Sequence, residues 1–170
     1  MRYTLIAVVA VSFCVTSPGQ AIHPREAKYL PTEDSNYCAI ANARFNFWFD
    51  IPKSWSAVDS STNGDGYFIL TGNPRVDARV YGSYIEFRRG PQQKIATFLF
   101  RDRVKGRRIT EPGHVYFVRQ MPHRQIIFYL ASGDSVWLSQ NRRVIERIAG
   151  SLRPGKKPYR HWRALTSACT

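Results

Sequence analysis

Residues 63–85, NGDGYFILTGNPRVDARVYGSYI, constrain the fold more than any other stretch. Asn63-Gly64-Asp65-Gly66 is a turn cluster, with glycines free to take φ > 0 and Asn/Asp able to bond their own backbone. Tyr67 to Leu70 is a short apolar strand, and Thr71-Gly72-Asn73-Pro74 turns the chain because proline fixes φ and cannot donate to a ladder. Val76, Ala78, Val80, Gly82 and Tyr84 then alternate with Arg75, Asp77, Arg79, Tyr81 and Ser83. Alternation of this length predicts a strand with one buried and one wet face. The segment is therefore expected to be a β-hairpin at the centre of an antiparallel sheet.

With 170 residues the chain can bury one sizeable core. Its 44% hydrophobic and 14% aromatic content suits a packed β-rich domain and excludes disorder. The first residues read as a Sec-type targeting segment. Arg2 supplies a positive charge, residues 5–15 form an apolar run too short to span a bilayer, and Gly19 and Ala21 give a small-x-small cleavage pattern. Cleavage is expected after Ala21, with an uncleaved anchor as the alternative, so the protein is expected in the periplasm or secreted. Residues 22–36 read as a flexible lead, 37–155 as a single domain and 156–170 as a basic tail.

After such cleavage Cys38 and Cys169 remain, and two cysteines in an exported chain invite one disulfide. Closing so long a loop contributes about 4 to 5 kcal/mol in the chain-entropy model. An unpaired Cys169 is the alternative. The formal charge of +13 is unevenly spread. Residues 22–74 hold four Lys/Arg against six acids, whereas 75–170 hold twenty against six. For an exported protein the matching anions are lipid head groups, wall polymers and acidic proteins, and export argues against nucleic acid.

Phe45, Phe47 and Phe49 alternate with Asn46, Trp48 and Asp50 and predict a half-buried strand whose outer face Trp48 marks as partly covered too, after an approach segment over 37–44. Trp55 is expected to fold back on the core. Ile95, Phe98 and Leu99 stand at i, i+3 and i+4 behind Pro91, which predicts a helix over 91–104 stopped by Gly106. Strands follow at 108–110, 115–118 and 125–131, with turns at Glu111-Pro112-Gly113 and at 121–124. Ser132-Gly133-Asp134 is read as a tight turn into a partner strand over 135–139. Val144, Ile145, Ile148, Ala149 and Leu152 form an apolar stripe, which predicts a helix over 141–153 capped by Asn141. The fold class expected is α+β: an antiparallel sheet of about six strands with two main helices packed on it.

FNFWFDIPKSW, NGDGYF, VYGSYI, IFY and VIERIAGSLRPG together resemble a family of small exported bacterial proteins without an assigned function. The resemblance spans about residues 37–155 and implies a PsbP/Mog1-like fold, an antiparallel sheet sandwiched by helices. It implies a compartment and a fold and no substrate.

Catalytic and metal motifs are sparse. His23, His114, His123 and His161 lack ligand spacing, although His114 and His123 flank one strand and could approach across turns. Asp65 alone cannot make an EF-hand loop. No Gly-x-Ser-x-Gly motif and no evident carboxylate pair is present. The expectation is no catalytic residue, no metal and no cofactor. The basic positions Arg88, Arg89, Arg107, Arg108, Arg142, Arg143, Lys156, Lys157 and Arg160, with Trp162, are the candidate partner surface. They point to a non-enzymatic binding protein for an acidic macromolecule or anionic envelope surface. The alternatives are an inhibitor or immunity protein for a secreted effector and, last, a small envelope enzyme.

Overall fold

The computed structural model describes residues 25–27, 29–59, 63–87 and 90–155. In chain order they form β1 (Arg25–Glu26), β2 (Tyr29–Pro31), β3 (Tyr37–Asn42), β4 (Phe47–Pro52), β5 (Ser56–Asp59), β6 (Gly66–Leu70) and β7 (Val76–Ser83). These are followed by β8 (Lys94–Leu99), β9 (Lys105–Glu111), β10 (His114–Met121), β11 (Arg124–Ser132), α1 (Ser135–Gln140), α2 (Arg142–Ser151) and β12 (Arg153–Pro154). The strands make two antiparallel sheets, one ordered β1-β5-β6-β7-β11-β10-β9-β8 and the other β12-β4-β3-β2.

The molecule is therefore mostly β, with two short helices. That overturns the expected α+β architecture of about six strands under two main helices, and with it the PsbP/Mog1-like arrangement. The central hairpin is where the alternation put it. β6 pairs with β7 in the middle of the large sheet, with Ala78, Val80 and Gly82 buried and Arg79 exposed.

The large sheet turns one face inward. Ala57, Ile69, Val80, Phe117, Ile126, Phe128 and Leu130 meet Ile40, Phe47, Phe49 and Ile51 of the small sheet, together with Ile145, Ile148 and Ala149 of α2. Each large buried side chain contributes roughly 1.5–3 kcal/mol by leaving water. The rows of phenylalanines interlock, with Phe117 stacked on Phe128 at 5.8 Å and edge-on to Phe98 at 4.8 Å.

Six local expectations are corrected. The segment read as a helix over 91–104 holds β8, paired to β9 with Leu99 opposite Lys105. Ile95, Thr97 and Leu99 also follow a period of two, and only Phe98 turns to the core, so the helical spacing was accidental. Gly106 stops no helix. It sits in β9 opposite Phe98, where a Cβ would collide with the Phe100 ring and the Val118 carbonyl.

Residues 135–139 form α1 instead of a strand, because Asp134 caps it, its carboxylate accepting the Trp137 N–H at 2.8 Å. Trp137 stacks on Trp55 at 5.7 Å, which folds Trp55 onto the core as expected. Asn141 does precede α2, yet its side chain donates to the Trp137 carbonyl and does not cap α2. Finally, β3 occupies the supposed approach segment, and β1 and β2 occupy part of the supposed flexible lead.

Two buried charges tie the layers together. Asp50 on β4 is 2% exposed and accepts from Arg153 at 2.8 Å and Arg101 at 3.1 Å. Arg119 on β10, 4% exposed, holds Asp102 through both carboxylate oxygens and donates to the Leu152 carbonyl at 2.7 Å. The second clamp joins the β8–β9 turn to the end of α2.

Candidate functional site

The outward face of the large sheet holds the richest set of side chains. Residues directly opposite in a ladder share a face, so the register can be followed across the sheet. Val58 lies opposite Phe68, Phe68 opposite Arg79, Arg79 opposite Tyr129, and Tyr129 opposite Tyr116. Tyr116 lies opposite Ile109, and Ile109 opposite Ile95. One straight row thus crosses seven strands. Beside it runs a second row of Tyr81, Ile127, Val118, Arg107 and Thr97. Ile109, Val118 and Ile127 are buried there beneath Phe87, Tyr81 and Tyr116, so this face carries a small apolar cluster of its own.

Arg79 is held flat at the centre of the first row. Its Nε and Nη2 donate to the two oxygens of Asp77 at 2.7 and 2.5 Å. Its guanidinium lies 4.5 Å from the Phe68 ring centre and 5.7 Å from that of Tyr129. The Asp77 hydrogen bond keeps the Arg79 pKa above its ordinary value. Tyr129 also meets His114, whose Nδ1 is 3.0 Å from the phenol oxygen. Burial pushes the phenols of Tyr81, Tyr116 and Tyr129 above their usual pKa, so all three are protonated at neutral pH. Phe68, Arg79, Tyr81, Tyr116 and Tyr129 line an open hollow of about 560 Å³, with Ser83, Gly82 and residues 65–67 at its rim.

The structure separates the sequence-predicted surface residues. Arg107 lies on the outward face of β9, opposite Thr97. Arg108, its neighbour, turns the other way and lies over Phe117 at 5.8 Å. There it joins Arg142 in lining a second hollow of about 540 Å³, on the helical side. Arg142 pairs with Glu146 at 3.0 Å, and Arg143 is exposed on α2. Arg88, Arg89, Lys156, Lys157, Arg160 and Trp162 lie outside the described residues. Cys38 is buried on β3, and Cys169, the other half of the expected pair, also lies outside them.

His114 and His123 do not approach each other, since they stand at opposite ends of β10. Among the described residues no group of three or more His, Cys, Asp or Glu is placed to hold a metal ion, and no helix is long and apolar enough to cross a membrane. Asp65 belongs to a turn, where Arg44 pairs with it at 2.9 Å and Asn42 donates to the Gly64 carbonyl.

Sequence reasoning placed Arg79, Tyr81 and Ser83 on the wet face of their strand. It did not find Phe68, Tyr116 and Tyr129 beside them, because β7 and β11 are sheet neighbours but far apart in the chain. No family model matches the chain, no curated protein matches it, and no solved structure matches it.

Proposed function

We propose that this is a non-enzymatic binding protein, periplasmic or secreted, that docks on an anionic envelope surface, with an acidic macromolecule as the alternative partner. The observation that carries the reading is the β8–β9 hairpin at the sheet edge. Ile95, Leu99 and Val104 are 43%, 57% and 39% exposed there. Lys105 and Arg107 share the outward face with Ile95 and Leu99, because Leu99 pairs with Lys105 and Thr97 with Arg107. Among the described residues neither cation has an acidic partner, nor has Arg103 in the turn between the strands.

Apolar side chains flanked by unneutralised cations suit the head-group region of an anionic bilayer. The apolar groups leave water, and each Lys or Arg near the surface contributes about 1 kcal/mol. The expected partner contact thus moves from a diffuse basic half-chain to one hairpin.

Co-sedimentation of the mature chain with phosphatidylglycerol-rich vesicles tests this. Binding is expected at low ionic strength and is expected to disappear near 1 M salt, where the Debye length is about 3 Å. The double substitution Lys105→Ala/Arg107→Ala is expected to weaken it about thirtyfold, the equivalent of about 2 kcal/mol. Vesicle binding that is absent at low salt, or indifferent to salt and to both substitutions, contradicts the reading.

A further inference from the structure

We propose that the hollow on the outward face between β6, β7, β11 and β10 is a saccharide-binding cleft, floored by Phe68, Arg79, Tyr129 and Tyr116 and flanked by Tyr81. The cleft is separate from the basic hairpin and uses none of its residues.

Three observations select this ligand chemistry. The first is the mixture of groups. Four neighbouring strands, each about 4.8 Å from the next, present ring, guanidinium, ring and ring in one strip. Aromatic faces cover the apolar C–H faces of a pyranose, and phenol and guanidinium edges reach its hydroxyls. Arg79 spends Nε and one N–H of Nη2 on Asp77, which leaves its other N–H groups, on a residue that lines the hollow, for a ligand.

The second is charge. Arg79 and Asp77 neutralise each other at 2.5 Å, and the phenols are uncharged. A ligand carboxylate competes with Asp77 for the same donors, and a ligand cation meets Arg79. A neutral, hydroxyl-rich ligand meets neither obstacle and finds donors and acceptors together.

The third is ring geometry. Tyr116 is tilted 46° from Tyr129 and 60° from Phe87. Among the described residues of this face, the nearly parallel pair His114 and Tyr129 is 5.8 Å apart. A planar aromatic ligand sandwiched between two rings needs about 7 Å, twice an ordinary van der Waals contact of 3.5 Å. Among the described residues the site thus offers no two-ring sandwich for a flat base or cofactor. It offers an uneven open trough of about 560 Å³, within the range of ligand sites, where the puckered outline of a short sugar chain can lie.

The test is a backbone-amide NMR titration of the protein with three neutral probes: cellotetraose, maltotetraose and tetra-N-acetylchitotetraose. At least one is expected to bind with a dissociation constant of about 1 mM, shifting amides of β6, β7, β10 and β11. Tyr116→Ala is expected to weaken it about tenfold, and Tyr129→Phe, which keeps the ring and the fold, about fivefold. Lys105→Ala is expected to leave it unchanged. No shifts with any probe at about 10 mM overturn the proposal. So does binding that Tyr129→Phe and Arg79→Met both leave intact.

Discussion

Replacing Arg119 by alanine is expected to destabilise the protein by about 3 kcal/mol, with a correspondingly lower urea midpoint. Arg119 is a charge inside the core, 4% exposed beside the Phe100 ring at 5.1 Å. It is tolerated there because both oxygens of Asp102 and the Leu152 carbonyl satisfy it. Truncation leaves the Leu152 carbonyl without this donor and opens a cavity. It also releases the β8–β9 turn from the end of α2. Arg119→Met fills most of the volume and is expected to cost less, so the difference between the two variants measures the cavity.

The same pair leaves a mark on pH dependence. The hydrogen bond from Arg119 holds the Asp102 carboxyl below its ordinary pKa of 3.8. A carboxylate depressed in the folded state stabilises that state above its unfolded pKa, and the contribution is lost as pH falls through the lower folded value. The native protein is therefore expected to lose part of its stability below about pH 4, and the Arg119→Ala variant to lose less over the same window. Asp102 is 46% exposed, so this slope is smaller than that of a buried pair.

Gly82→Val is the second large effect, also about 3 kcal/mol, and Gly82→Ala follows with a smaller loss. Gly82 occupies a core-facing position of β7, and the Phe45 ring lies directly on its Cα, so that any Cβ there would overlap the ring. Phe45 comes from the turn between β3 and β4 and is 2% exposed; its N–H donates to the Asn42 side chain at 2.8 Å. It reaches from the small sheet onto the large one and packs against Tyr84 at 4.7 Å. A side chain at position 82 pushes Phe45 out and loosens the joint between the sheets. Phe45→Ala in the Gly82→Ala background is expected to add less than the sum of the single changes, since both act on one contact.

What could be read from the sequence follows the range of the interactions. β7 was legible because its inward and outward residues alternate over eight positions and the flanking turns are strong. The stripe of α2 was legible for the same local reason. β8 was not, because Ile95, Phe98 and Leu99 satisfy helical spacing while Ile95, Thr97 and Leu99 satisfy strand spacing. The choice was made by pairing with β9, a tertiary event. β3, with the sequence YCAIAN, has neither alternation nor β-branched density, and is a strand because both its faces are covered.

The turn and strand signatures behind the family resemblance, NGDG and VYGS, specify one hairpin and not the number of helices, which is why the architecture they implied was overturned. Arg107 and Arg108 are adjacent in sequence and opposite in space, as any strand requires. The tyrosine cleft needed the one fact that local patterns do not hold, namely that β11 lies between β7 and β10.

The central claim is that the outward face of the β8–β9 hairpin is the surface that meets an anionic partner. Hydrogen exchange of the protein, with and without phosphatidylglycerol-rich vesicles at low salt, tests it most directly. β8 is the last strand of its sheet, so its outward-directed amides exchange readily unless something covers the hairpin. The account predicts slower exchange over Lys94–Leu99 and Lys105–Glu111 when vesicles are present, reversed by high salt. Unchanged exchange in these two strands while the protein sediments with the vesicles would contradict it.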